Sequence, residues 1–212
     1  MKEIEIKPAA ETIIILGAPG SGKDTQAEFL VDALGFQIIS SGELIRLRAQ
    51  HDDDLHDALE KGELVSDDVV DDEIISVFAL LADEQPVILD GYPRTLEQAE
   101  KLDKILLDNN RKVSKVLYIK VPDEDLVKRI AKRRVCAKCG KFTSDEHKTC
   151  PECGGKLVQR DDDTPKAVKN RLEIFHKTTE PVIDFYKERN LLLEVDGKPS
   201  IEKVREAIKD LI

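Results

Sequence analysis

A run of β-branched residues, Ile13-Ile14-Ile15-Leu16, leads into Gly17-Ala18-Pro19-Gly20-Ser21-Gly22-Lys23-Asp24-Thr25, after which Ala27, Leu30, Val31 and Leu34 recur at helical spacing up to Gly35. No other feature constrains the fold as tightly, because a buried strand, a glycine-rich turn and an amphipathic helix must follow one another directly. Glycines let backbone N–H groups converge on one anion, the helix that follows points its positive end at it, and Lys23 adds a mobile charge. A glycine-rich turn can be merely structural, but here strand, loop, lysine and helix are all in register. The spacing G-x-x-x-x-G-K is intact. The next position ordinarily carries Ser or Thr, whose hydroxyl reaches Mg²⁺; here it is Asp24, with the hydroxyl displaced to Thr25.

Four further apolar segments read as strands: Gln37 to Ile39, Val87 to Leu89, Val116 to Val121, and Leu191 to Val195. Helical patterns separate them. Strands alternating with helices predict an α/β fold, a five-stranded parallel sheet covered on both faces, with ligands bound beyond the strand C-termini. The glycine-rich loop follows the first strand at such an end.

A chain of 212 residues, 41% hydrophobic and 36% charged, can bury one substantial core with small insertions. No stretch is apolar for long enough to span a membrane. The segment Met1-Lys2-Glu3-Ile4-Glu5-Ile6-Lys7 alternates charged and apolar residues without the apolar core of a signal peptide, so a cytoplasmic protein is expected, with this segment a short edge strand or loose. A formal net charge of −10 argues against a protein that holds long nucleic acid through its phosphates, whereas small phosphorylated ligands need only local basic clusters. The acidic runs around Asp52 to Asp54 and Asp67 to Glu73 are read as solvated helix starts and faces rather than metal sites.

Two stretches interrupt the alternation. The first, about Ser40 to Val69, is polar and helical. The second, about Lys132 to Asp163, holds Cys136-Ala-Lys-Cys139-Gly140 and Cys150-Pro151-Glu-Cys153-Gly154-Gly155. Paired C-x-x-C knuckles, each turning at a glycine, suit tetrahedral Zn²⁺ held by four thiolates. Disulfides are the competing account, and Cys136, Cys139, Cys150 and Cys153 in a cytosolic chain favour metal. With all four positions filled by protein the metal is structural, and a segment this poor in apolar residues needs it to hold a fold. His147 lies nearby but is expected to be exposed.

Several other segments are rich in arginine and glycine: Ser40-Ser41-Gly42-Glu43-Leu44-Ile45-Arg46, Asp90-Gly91-Tyr92-Pro93-Arg94-Thr95 with Gln98, Arg129-Ile-Ala-Lys-Arg133-Arg134, Arg160-Asp161-Asp162-Asp163, and Asn170-Arg171-Leu172. In this order they closely resemble the motifs of adenylate kinases of the long-lid, zinc-bearing bacterial type, over nearly the whole chain from Thr12 to Ile212. The residues make chemical sense in that light. Phosphoryl transfer asks for in-line positioning and compensation of charge, supplied by a lysine, arginines and Mg²⁺, with no nucleophile on the protein. Arg129 and Arg133 stand at i, i+4, which puts them on one helical face.

The resemblance implies a P-loop nucleoside monophosphate kinase fold with two inserted subdomains. Residues 1–11 would be an N-terminal extension, 12–39, 70–131 and 164–212 the core, 40–69 the AMP-binding insertion, and 132–163 the zinc-binding lid. It implies reversible transfer from MgATP to AMP, giving two ADP. Lys23, Arg94, Arg129, Arg133, Arg160, Arg171 and Asp90 would serve the transfer, Asp90 holding Mg²⁺ through water. Gly20, Ser21, Gly22, Lys23, Asp24 and Thr25 with Arg129, Arg133, Phe142 and Pro199 would hold ATP. AMP would be held by Ser41, Arg46, the backbone of Glu63, Leu64 and Val65, Gly91, Tyr92, Pro93, Arg94 and Gln98, with Arg160 and Arg171 bridging both phosphate chains. Asp162 and Asp163 would pair with arginines in the closed lid, which would swing on hinges near Lys132 and Asp163. A monomer is expected, with ATP, AMP and ADP as its partners and neither nucleic acid nor membrane among them.

Three positions depart from the family pattern. Asp24 stands where glycine is usual, Ser41 where threonine is common, and the lid lacks several residues, including a Tyr-His stretch after the first knuckle. Asp24 is expected to ligate Mg²⁺, pair with a lid arginine, or favour the helix N-terminus. Two rival functions follow from parts of the pattern: a kinase of UMP or CMP, and a zinc-ribbon nucleic-acid-binding ATPase. Gln98 and the Pro93-Arg94-Thr95 triplet favour adenine over the first; the acidic balance and scarcity of aromatic residues oppose the second.

Overall fold

The computed structural model describes residues 9–63, 65–82 and 84–212. The segment Met1–Lys7, expected as an edge strand or loose, and Leu64 lie outside the described residues. Strand β1 (Ala10–Leu16) occupies the centre of a five-stranded parallel sheet. Its Ile13, Ile14, Ile15 and Leu16 are all buried, which is why this run is continuously apolar rather than alternating. On one side it pairs with β3 (Val87–Asp90), which pairs in turn with β2 (Gln37–Ser40); on the other it pairs with β4 (Arg111–Lys120), which pairs with β8 (Leu192–Asp196). The order β2-β3-β1-β4-β8 therefore reverses direction at β1, and the crevice beyond the carboxyl ends of β1 and β3 is the expected ligand site.

All five expected strands are present. The largest boundary difference is in β4, which begins five residues before the apolar run read from sequence, because Arg111 and Lys112 pair with Ala10 and Glu11 at the sheet's lower end. Arg111 is buried there, donating to the carbonyls of Ala82 and Gln85, so its charge hid a strand start. Helices α1 (Lys23–Leu34), α5 (Leu96–Asp108), α8 (Glu180–Glu188) and α9 (Ile201–Lys209) bury Ala27, Leu30, Leu102, Leu106, Val182, Val204 and Ile208 in one core with the sheet. At about 25 cal/mol per Å² of apolar surface this core supplies the main driving force of the fold. No helix among the described residues is long and apolar enough to cross a membrane.

The first interruption forms α2 (Ser41–Arg48), α3 (Asp53–Glu60) and α4 (Asp67–Phe78). Helix α4 runs unbroken through the boundary placed at 69/70, since Ile74 and Phe78 on its second half join the main core. The first acidic run behaves as read: Asp52 caps α3, accepting from the Leu55 amide at 3.0 Å. In the second, Asp67 starts α4 and Asp68 and Asp72 are exposed as read, but Asp71 departs from the reading. Asp71 is fully buried, accepts a hydrogen bond from the Tyr92 hydroxyl at 2.6 Å and pairs with Lys101 at 2.7 Å. Two such partners offset the cost of burying a carboxyl group.

The second interruption follows α6 (Asp123–Lys132) as a three-stranded antiparallel sheet, β5 (Arg133–Cys136) between β6 (Phe142–Ser144) and β7 (Leu157–Val158). Arg133 is thus the first residue of β5 and not, as its i, i+4 spacing from Arg129 suggested, part of the helix; β5 pairs with β6 from that residue on. Helix α7 (Pro165–Ile174) returns the chain to the core, and a π-helical turn at Phe175–Thr179 joins it to α8.

Candidate active site

Two cavities meet beyond the carboxyl ends of β1 and β3. The larger, about 620 Å³, is lined by Gly20, Ser21, Gly22, Lys23, Asp24 and Thr25 from the glycine-rich loop, by Arg129 and Arg133 around the α6–β5 junction, and by Phe142 and Pro199. The smaller, about 130 Å³, is lined by Ser41, Arg46, Glu63, Val65, Gly91, Pro93, Arg94 and Gln98. Lys23, Arg46, Arg94, Arg160 and Arg171 line both. Every sequence-predicted site residue among those described outside the cysteines thus faces one of the cavities, except Tyr92. That side chain is fully buried beneath its loop and hydrogen-bonded to Asp71, so it supports Gly91 and Pro93 from behind.

The glycine-rich loop is shaped by Gly20 and Gly22, at φ 83° and 93°, which let the chain wrap back before α1 begins at Lys23. The Lys23 ammonium contacts both Asp24 and Asp90, the latter at 3.1 Å, and Ser40 donates to Asp90 at 3.1 Å. Burial opposes ionisation of both carboxyls. For Asp24 the adjoining Lys23 outweighs it and holds the carboxyl well below its usual range; for Asp90 burial prevails over Lys23, and with the Asp24 charge beside it the carboxyl is pushed up to about 6. Arg129 donates to the carbonyls of Ser21 and Gly197, fixing the loop against the segment after β8.

The arginines are crowded and under-compensated. Burial, aggravated by Arg160, lowers Arg46 to about 10, and burial lowers Arg171 to about 10 despite Asp162. Arg94 is also lowered by burial, its Nε donating to the Gly91 carbonyl at 2.7 Å. Asp162 accepts from Arg160 at 2.8 Å and pairs with Arg171 at 3.0 Å; Asp163 accepts from Arg133 at 2.9 Å. Buried guanidinium groups whose charge is disfavoured until more anionic charge arrives are the signature of a site for phosphates. Phe142 lies under the guanidinium groups of Arg133 and Arg160, with their carbons 5.5 and 6.0 Å from its ring centre. Its ring supports two site arginines as well as facing the larger cavity.

The structure also brings in residues that sequence reading missed. Ser40, Lys132, Thr143, Ser144 and His147 line the larger cavity, His147 being exposed as expected. Thr143 and Ser144 belong to a three-residue strand, too short for a periodic signal.

In the lid, the Sγ atoms of Cys136, Cys139, Cys150 and Cys153 lie within 4.8 Å of one another, with the Cys136–Cys153 pair at 3.5 Å and the Cys139–Cys150 pair at 3.7 Å. A disulfide needs about 2.05 Å, whereas tetrahedral Zn²⁺ with bonds of about 2.3 Å places sulfurs roughly 3.8 Å apart. The Lys138 amide donates to Cys136 Sγ at 3.4 Å, as a thiolate ligand requires. The four cysteines fit a structural zinc ion.

The adenylate kinase family profile matches residues 15–191. The chain belongs to the adenylate kinase family. It is 40% identical over 211 residues to the adenylate kinase of Caldicellulosiruptor saccharolyticus, covering 94% of this chain and 98% of that one. It is 39% identical to those of Methanocella arvoryzae and Archaeoglobus fulgidus, again over 94% of this chain and 97% of each relative. The expected family, the parallel α/β fold and phosphotransferase chemistry are borne out, and the four-cysteine cluster fits the zinc-bearing type with the long lid.

Proposed function

We propose that this protein transfers the γ-phosphoryl group of MgATP to the α-phosphate of AMP, giving two ADP, reversibly. The observation that carries the reading is that two cavities share one set of cations, Lys23, Arg46, Arg94, Arg160 and Arg171, so that two phosphate chains bound from opposite sides meet there. An AMP oxygen attacks the γ-phosphorus while the bond to the β,γ-bridging oxygen breaks, and the electron pair leaves with ADP. Lys23 and the arginines hold the spread charge of the moving group, which is where preorganised cations act most strongly. The larger cavity takes ATP, with its phosphates on Gly20 to Thr25, Arg129 and Arg133 and its base between Phe142 and Pro199. The smaller takes AMP, with Ser41, Arg46, Glu63 to Val65, Gly91, Pro93, Arg94 and Gln98 around it.

Mg²⁺ bound with ATP would neutralise phosphate charge beside Asp90 and Asp24, the carboxylates nearest Lys23. Residues 40–69 and 132–163 act as two closing parts on a core, with lid hinges near Lys132 and Asp163. Closure excludes water, which prevents ATP hydrolysis and strengthens each charge interaction. The protein works as a cytoplasmic monomer on free nucleotides, without nucleic acid or membrane. A coupled assay of MgATP with AMP, GMP, CMP and UMP tests the assignment: AMP is expected to be strongly preferred, and preference for a pyrimidine monophosphate would overturn it.

A further inference from the structure

Gln98, on the first turn of α5, is 2% exposed and lines the smaller cavity. Its Oε1 accepts from the Arg94 amide at 2.7 Å, and its Nε2 donates to Asp67 Oδ1 at 2.8 Å. Asp67 opens α4 and is held in turn by Thr95, whose hydroxyl donates to Asp67 Oδ2 at 2.7 Å while accepting from the Gln98 amide at 3.2 Å. A backbone N–H can only donate and an ionised carboxylate can only accept, so the two ends of the Gln98 amide are not interchangeable. Turning it over would set Oε1 against a carboxylate oxygen and Nε2 against an N–H, losing both bonds in a buried place.

We propose that Asp67 is a specificity-determining positioning residue: together with the Arg94 N–H it fixes which end of the Gln98 amide donates and which accepts, and so selects a monophosphate whose base carries an amino group beside a bare ring nitrogen. The inference rests on the reading of Gln98 as part of the acceptor base pocket. After its two internal bonds the amide keeps one N–H and one lone pair of Oε1 in a fixed order. Adenine offers N6–H as donor and N1 as acceptor. Hypoxanthine has the same ring size and shape but offers O6 as acceptor and N1–H as donor, the reverse order, and matches only the inverted amide. Such a site rejects the mismatched base because buried polar groups are left facing like groups. The acidic residue does this without touching the nucleotide.

The test compares AMP and IMP as acceptors with saturating MgATP, using the full protein and its Asp67→Asn, Asp67→Ala and Gln98→Ala variants. Asp67→Asn is isosteric, keeps the start of α4, and can face either end of the Gln98 amide. Both Asp67 variants are expected to lower the AMP:IMP ratio of kcat/KM by about tenfold or more, the worth of one correctly ordered pair of hydrogen bonds. The change should fall on the acceptor KM and leave the MgATP KM where it was. Gln98→Ala should lose the same selectivity. If Gln98→Ala abolishes the ratio but neither Asp67 variant changes it, the positioning role is overturned and the base-pocket reading stands. If Gln98→Ala leaves the ratio intact, the base-pocket reading fails and the inference with it. An equal fall in kcat for AMP and IMP, with a lowered Tm, would assign Asp67 a purely structural role and overturn the proposal.

Discussion

The ammonium of Lys23 lies 3.1 Å from Oδ1 of Asp90, and Asp24, the next residue along the chain, closes on the same ammonium. The Lys23 ammonium at the head of the glycine-rich loop is therefore engaged by two carboxyl groups. Phosphates that approach without a divalent cation meet these two carboxyl groups at close range, where each pair of like charges costs on the order of a kcal/mol, before they reach the arginines.

Replacing Asp24 by glycine frees one side of Lys23. The Asp24→Gly variant is expected to keep turnover and to bind ATP several-fold more tightly in the presence of a chelator, while its Mg²⁺ requirement becomes shallower. Titration calorimetry of ATP with and without Mg²⁺ reads this directly. Complete loss of turnover in a folded variant would instead make Asp24 part of the chemistry.

Asp90 gives the reaction an acid limb. Burial pushes its carboxyl up to about 6 even though Lys23 pulls the other way, and the charge of Asp24 adds to the upward push. If Asp90 supports Mg²⁺ as proposed, its protonation below that pH would withdraw the support, so kcat/KM for MgATP should fall as pH drops through about 6. Removing Asp24 removes part of the push, and the limb should move to lower pH in Asp24→Gly. A pH–rate profile with an unmoved limb would place the titration elsewhere.

The four lid thiolates carry a different kind of prediction. The lid sheet has strands of four, three and two residues and little apolar surface, so the metal supplies its cohesion. Metal analysis should find about one zinc per chain, and Cys139→Ser should lose it, lower Tm, and raise the KM for ATP more than that for AMP, because Phe142, Thr143 and Ser144 line the larger cavity, which is proposed to take ATP. Purification without metal, with a Tm indifferent to chelators, would refute the assignment.

Much of this was legible in sequence where one physical signal dominated. Ile13 to Leu16 read as a buried strand because a continuously apolar run of this kind suits burial on both faces, and the paired knuckles, in a chain expected to be cytosolic, pointed to metal ahead of disulfides. What stayed hidden depends on pairing across the fold. Asp67 and Asp71 look like solvated helix charges until Thr95, Gln98, Tyr92 and Lys101, from a distant turn and helix, supply their partners. Arg133 reads as helical because its spacing from Arg129 is right, and only the ladder to β6 places it in a strand. Tyr92 sits within a site motif, yet the sequence does not say which way its ring turns.

Gly62 shows how closely the turn after α3 is fitted to α7. It adopts φ +68°, and a Cβ there would stand 2.7 Å from the Ala167 carbonyl oxygen and 2.9 Å from Arg171 Cγ. Asn170 reaches the same turn, donating to the carbonyls of Lys61 at 3.0 Å and Gly62 at 3.2 Å. Helix α7 thus seats the turn just before Glu63 and Val65, which line the smaller cavity, proposed to take AMP, and presents Arg171 from the same face. A methyl group at Gly62 meets backbone on one side and a site arginine on the other, and carries the left-handed penalty of about 1 kcal/mol besides. The Gly62→Ala variant should therefore push the turn off α7, raising the KM for AMP about tenfold or more while the KM for MgATP changes little. Steady-state kinetics with each nucleotide varied in turn decides it: an equal rise in both constants would mean that the turn does not serve the AMP side alone.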